Sequence, residues 1–134
     1  MYTIIVATHS NLSKGLLDTL GEFHSDLSRV LTVSLDSQGV EAFEEIIDHL
    51  LEEVDTPILG FVDLFQGTPF KVLYSKLMAN PENVIITNVN FGSLLTAVLQ
   101  SHQELGLVKE EIFNAGEMKM IDGTIVSGKN EEDE

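Results

Sequence analysis

The sequence predicts an α/β fold: an open, mainly parallel β-sheet of four strands with helices on both faces, plus a C-terminal antiparallel edge strand or hairpin. Three observations predict it. Four short runs are rich in β-branched and apolar residues, too uniformly apolar for strands with one face in water. Stretches with apolar residues at helical spacing separate them. The two kinds of segment alternate in the order βαβαβαβα, and strands joined by crossover helices close as a parallel sheet covered on both sides.

The first strand is read over Tyr2 to Thr8, and Val30 to Leu35, Pro57 to Val62 and Val84 to Val89 supply the other three. After Ser10-Asn11, a plausible cap, Leu12, Leu16, Leu17, Leu20 and Phe23 recur at helical spacing. Val40, Phe43, Ile46, Ile47, Leu50, Leu51 and Val54 form the cleanest apolar stripe, with Glu41, Glu44, Glu45, Glu52 and Glu53 on the other face. Thr68-Pro69 reads as a cap followed by proline at the first helical position, opening a helix through Phe70, Leu73, Tyr74 and Leu77. A fourth stripe, Leu94, Leu95, Val98 and Leu99, begins after Asn90-Phe91-Gly92. From about Val108 no clear element is read until Met118 to Val126, where Asp122-Gly123 between two short apolar runs suggests a hairpin or edge strand. A lone two-stranded element is marginal in water, so this one is expected to pair with a sheet edge, that of a partner subunit, giving a dimer. Residues 1–128 are read as a single domain and 129–134 as an acidic tail, ending Glu131-Glu132-Asp133-Glu134.

At 134 residues the chain suffices for one ordinary core. No apolar stretch approaches the ~20 residues that span a bilayer, and Met1-Tyr2-Thr3-Ile4-Ile5-Val6 lacks the basic start and small-residue cleavage site of a secretory signal, so none is expected. The absence of cysteine removes disulfides, Cys-ligated zinc and thiol nucleophiles. A net charge of −15 repels phosphate backbones and anionic lipid, so neither nucleic acid nor a membrane surface is an expected partner.

In open parallel sheets, ligands bind beyond the carboxyl ends of the strands. Here those ends carry Thr8-His9-Ser10-Asn11, Asp63-Leu64-Phe65-Gln66-Gly67-Thr68-Pro69 and Asn88-Val89-Asn90-Phe91-Gly92-Ser93. Helix N-termini beside them offer unpaired N–H groups suited to an anion. His9 stands where the first strand becomes a helix. Asp63 stands at the matching end of the third strand, a neighbour of the first in the usual strand order. A carboxylate beside an imidazole fixes its tautomer and leaves the other ring nitrogen as base, nucleophile or ligand. The other histidines lack such a position: His24 is placed in a loop, His49 beside the polar helix face, and His102 beyond Val98 and Leu99 with partial burial. No two histidines share a metal-ligand spacing, and no metal or cofactor is expected. Lys14, the cation nearest His9 in sequence, is turned away by helical geometry.

Thr8-His9 after an apolar strand, then Val62-Asp63-Leu64-Phe65-Gln66-Gly67-Thr68-Pro69-Phe70, then Asn88-Val89-Asn90, together resemble the IIA domains of the mannose-type sugar phosphotransferase system. The likeness runs in order and spacing from about Tyr2 to Leu105. Gln66 stands where the family often has Gly, Thr68 replaces Ser and keeps its hydroxyl, and Phe91-Gly92 replaces an apolar residue and proline. The resemblance implies a phosphocarrier: His9 accepts a phosphoryl group from HPr and passes it to a IIB component during sugar uptake, with Asp63 orienting the ring. Ser10, Gly67, Thr68 and the amides around them would hold phosphate oxygens. It also implies a cytoplasmic homodimer in which a C-terminal strand is exchanged between subunits, and which meets the membrane only indirectly, through the IIC/IID sugar permease.

Two other folds share this layout. A receiver domain would use Asp63 as phosphoacceptor but needs an acidic pair after the first strand to hold magnesium, where this chain has Thr8-His9-Ser10. The alternative is a flavodoxin-like FMN-binding module, with Thr8, Ser10, Asn11 and Ser13 as a phosphate loop and Phe65 and Phe91 stacking on the flavin.

Overall fold

The computed structural model describes residues 1–55 and 57–123. Its elements run β1 (Thr3–His9), α1 (Leu12–Leu20), β2 (Val30–Leu35), α2 (Val40–Glu52), β3 (Ile58–Val62), α3 (Thr68–Leu77), β4 (Val84–Ile86), α4 (Phe91–Leu99) and α5 (Leu105–Asn114). The strands form one parallel sheet in the order β2-β1-β3-β4. β1 therefore lies between β2 and β3, as the site argument requires.

Alternation along the two central strands builds a core on each side of the sheet. On one face Ile4 and Val6 of β1 and Leu59 and Phe61 of β3 pack with Leu20, Leu94, Ala97 and Ile112, so that α1, α4 and α5 cover it. On the other, Ile5, Ala7, Ile58 and Val62 pack with Phe43, Ile47, Val72 and Leu73 of α2 and α3. Six of the seven residues of β1 are buried and only His9 is exposed, because the helices stop covering the strand where it reaches the sheet edge. At the opposite end the buried Tyr2 hydroxyl donates to the Ala97 carbonyl at 2.6 Å. Burial, reinforced by the negative charge of Glu111, raises that phenol above its ordinary value.

Several expectations are corrected. β4 covers three residues rather than six, because Asn88 takes a left-handed φ of 56° and bends the chain out of the ladder, although the Val89 N–H still reaches the Val62 carbonyl at 3.0 Å. α5 was not expected; Leu105, Val108 and Ile112 form its buried face. Gly67, not Thr68, is the N-cap of α3, so Thr68 opens the helix, Pro69 is its second residue and no side chain caps it. His102 is exposed rather than partly buried; His49 is exposed on α2, and His24 is half-buried in a loop. The expected C-terminal hairpin lies partly outside the described residues, and the part inside, residues 118–123, forms no strand. The acidic tail 129–134 lies wholly outside them.

Candidate functional site

Parallel pairing sets His9 beside Asp63. Ala7 is in register with Val62, so β1 and β3 reach the edge together and the next residues meet across it. One carboxylate oxygen, Asp63 Oδ2, accepts the backbone N–H of His9 at 2.9 Å and lies 2.9 Å from its Nδ1. The other, Oδ1, accepts the Leu64 N–H at 3.0 Å. Asp63 is thus fixed from both ends, and its side chain is 14% exposed against 44% for His9. Partial burial pushes its carboxyl up, but the His9 N–H and ring outweigh this and hold it below the ordinary value. A carboxylate there accepts a hydrogen bond from the Nδ1–H tautomer, which leaves Nε2 as the ring nitrogen with a lone pair.

The remaining surroundings are backbone-rich. A Cβ at Gly67 would lie 3.4 Å from His9 Cε1, so this residue packs beside the imidazole and leaves it room. The Gly67 amide, expected to be free for an anion, donates to the Leu64 carbonyl at 3.2 Å. The amides of Thr68 and Phe70 are the first-turn N–H groups of α3 without an intrahelical acceptor. The Ser10 N–H is also taken, by the Leu35 carbonyl at 2.8 Å, so Ser10 offers its hydroxyl. Asn11 begins α1 without a side-chain cap bond; the buried Thr8 hydroxyl instead accepts the Ser13 N–H at 2.9 Å. Sequence reasoning missed this role of Thr8 and that of the Leu64 amide; a hydroxyl at the last buried strand position was the only signal for the former.

Among the described residues the non-glycine positions with positive φ are Ser10, Gln66 and Asn88, each in the loop leaving the carboxyl end of β1, β3 or β4. Left-handed backbone costs an L-residue about 1–2 kcal/mol, and such positions cluster where function requires them. Phe65 and Phe91, offered above as a flavin sandwich, point to different partners: Phe65 meets Phe70 at 5.0 Å and Phe91 meets Phe23 at 5.1 Å. Among the described residues no group of three His, Asp or Glu could hold a metal ion, and no helix is long and apolar enough to cross a membrane.

Comparison with known proteins gives one matching family model, described as the fructose IIA component of the phosphotransferase system, over residues 3–113. No curated protein sequence matches. Among solved structures, a phosphotransferase system component EIIA from Streptococcus agalactiae superposes with a TM-score of 0.80 at 19% identity, covering 92% of this chain and 98% of that one. A phosphotransferase IIA protein associated with the fucose utilization operon of Streptococcus pneumoniae gives 0.75 at 25% identity, covering 90% and 92%. The mannose/sorbose-specific IIA subunit from Enterococcus faecalis gives 0.75 at 19%, covering 90% and 94%.

Proposed function

Because the chain belongs to the family of fructose IIA components of the phosphotransferase system, we propose that it is a cytoplasmic histidine phosphocarrier that takes a phosphoryl group from phospho-HPr on His9 and delivers it to a IIB component. The observation that carries this is Asp63 Oδ2 at 2.9 Å from Nδ1 of a partly exposed imidazole. The lone pair of Nε2 attacks phosphorus as the donor's P–N bond breaks, and the donor nitrogen leaves with that electron pair. No proton moves in this step. His9 then carries a substituent on Nε2 and a proton on Nδ1, so its ring is cationic, and the Asp63 carboxylate stabilises that charge. The Thr68 and Phe70 amides, the Thr68 hydroxyl and the Ser10 hydroxyl are the donors available to phosphoryl oxygens; the positive end of α3 adds a favourable field.

A carrier must hold its cargo without hydrolysing it. The carboxylate nearest the ring is committed to Nδ1 and to the His9 and Leu64 amides, so it is poorly placed to activate water. Delivery to IIB reverses the same step, with Nε2 as leaving group. We further propose a homodimer assembled through the segment beyond Gly116. Incubation with phosphoenolpyruvate, Enzyme I and HPr tests the function: the expected product is an acid-labile, base-stable label on His9. A base-labile label, the mark of an acyl phosphate, would move the acceptor to Asp63 and end this reading.

A further inference from the structure

The loop that holds Asp63 also begins an exposed aromatic ridge. Phe65, two residues on, is 62% exposed, and Leu64 beside it is exposed too. The Phe65 ring meets Phe70 edge-on at 5.0 Å, and Phe70 meets Tyr74 at 5.6 Å. Tyr74 is 55% exposed. The ridge thus runs from the mouth of the site down the first two turns of α3, and with Lys71 it borders a shallow depression. Phe65 stands just before Gln66, one of the left-handed residues, so the turn that lifts its ring into solvent is itself unfavourable backbone. The edge contact with Phe70 is the ring's aromatic packing partner, and 62% of the residue stays in solvent.

The opposite flank of His9 is acidic. His9 pairs with Leu35 at the end of β2, and the next residue, Asp36, is exposed, as is Glu41 in the first turn of α2. The imidazole lies between an aromatic flank with one exposed lysine and an acidic flank, on a chain of net charge −15.

We propose that the Leu64-Phe65-Phe70-Tyr74 ridge is the docking face for the proteins that exchange a phosphoryl group with His9, and that Phe65 is its anchor. This rests on the phosphocarrier reading and adds the surface that carries it. Geometry makes the overlap unavoidable. Two imidazoles sharing one phosphorus must bring the reacting atoms to about 3–3.5 Å. A standard interface buries about 800 Å² on each partner, a disc roughly 16 Å in radius. The Cα of Phe65 lies within about 7 Å of that of Asp63, the limit of two peptide units, so it falls inside any such disc centred on His9. Aromatic side chains that stand rigid and exposed are the residues on which interface energy concentrates. The occupant is a protein surface with an apolar hollow for Phe65 and basic residues facing Asp36 and Glu41. An acidic partner would meet repulsion from the second flank.

The test separates docking from chemistry by using two donors. Phosphoramidate is small, transfers its phosphoryl group with ammonia as leaving group, and needs no docking face; phospho-HPr needs one. Phe65→Ala should slow labelling from phospho-HPr at least tenfold while leaving labelling by phosphoramidate within twofold. Tyr74→Ala, further from His9, should give a smaller loss in the same direction. Phe65→Tyr, which keeps the ring, should restore most of the rate. Unchanged transfer from phospho-HPr in Phe65→Ala, or equal losses with both donors, would overturn the docking role. If neither donor labels His9 in the unaltered chain, the phosphocarrier reading itself has failed, and the docking face falls with it.

Discussion

His9 and Asp63 act as a pair, and each substitution tests a different half of it. His9→Ala should abolish labelling from phospho-HPr. Asp63→Asn should keep the fold and slow transfer by about 10²-fold or more, because an amide can turn its N–H toward the ring and favour the wrong tautomer. The carboxyl of Asp63 lies below its ordinary value in the folded chain, so its contribution to stability is fully present above pH 3.8 and is lost as pH falls through the lower folded value. Urea unfolding of the native chain and of Asp63→Asn across that acidic range should show the gap between them closing. Thr68 separates capping from catalysis. As the first helical residue it makes no cap bond, so Thr68→Val should leave the unfolding midpoint unchanged. It should slow transfer about tenfold, the worth of one hydrogen bond to a charged oxygen. An altered midpoint with unaltered transfer would make Thr68 structural. At this scale the pair was legible, because both residues sit where strands of a parallel sheet end. Thr8 was not, because its partner, the Ser13 amide, is a backbone group that no residue pattern marks.

Between elements, the N-terminus of α4 is clasped to the end of α5. Asn90 caps α4 by accepting the Ser93 N–H at 3.1 Å and donates to the Gly116 carbonyl at 3.0 Å. Two glycines permit the approach: a Cβ at Gly92 would lie 2.7 Å from the Ala115 carbonyl oxygen, and one at Gly116 would lie 2.7 Å from Asn90 Nδ2. The two obstacles differ, and so should the variants. Gly92→Ala meets backbone and should cost about 1–3 kcal/mol whatever Asn90 is. Gly116→Ala meets a side chain, so its cost should shrink when Asn90→Ala is added; a double-mutant cycle in urea measures that coupling. A cycle with no coupling would place the cost of Gly116→Ala elsewhere. This clasp explains Gly92: glycine there admits the end of α5. α5 itself was poorly legible. Its buried face is only Leu105, Val108 and Ile112, and Gly106 together with exposed Leu107 and Phe113 blurs the stripe. β4 was read too long because Val89 continues the apolar run, whereas Asn88 turns the backbone out of it. The start of α3 was misplaced by one residue because threonine before proline resembles a cap, although Gly67 reaches the extended cap geometry without a side chain.

For the whole molecule, charge and exposed apolar surface make separate predictions. A chain of net charge −15 should meet a basic-faced partner faster at low salt, so the rate of transfer from phospho-HPr should fall as ionic strength rises while phosphoramidate labelling changes far less. Equal salt dependence with both donors would remove the electrostatic term. The apolar surface concerns the far end. Met118 is 91% exposed, and Met120 and Ile121 are exposed as well. They follow directly on the Asn90–Gly116 link, which fixes where this segment leaves the body. The ion pair of Lys119 with Glu117 is itself exposed and contributes little. These three large apolar side chains are exposed on a stretch that forms no strand among the described residues, and the proposed dimer would cover them with a second copy of the chain. Truncation after Gly116 keeps the clasp and both cores, so the shortened chain should fold. On the proposed dimer, the intact chain should sediment as a dimer and the shortened chain as a monomer. A truncated chain that remains a stable dimer would show that the two copies meet through another surface.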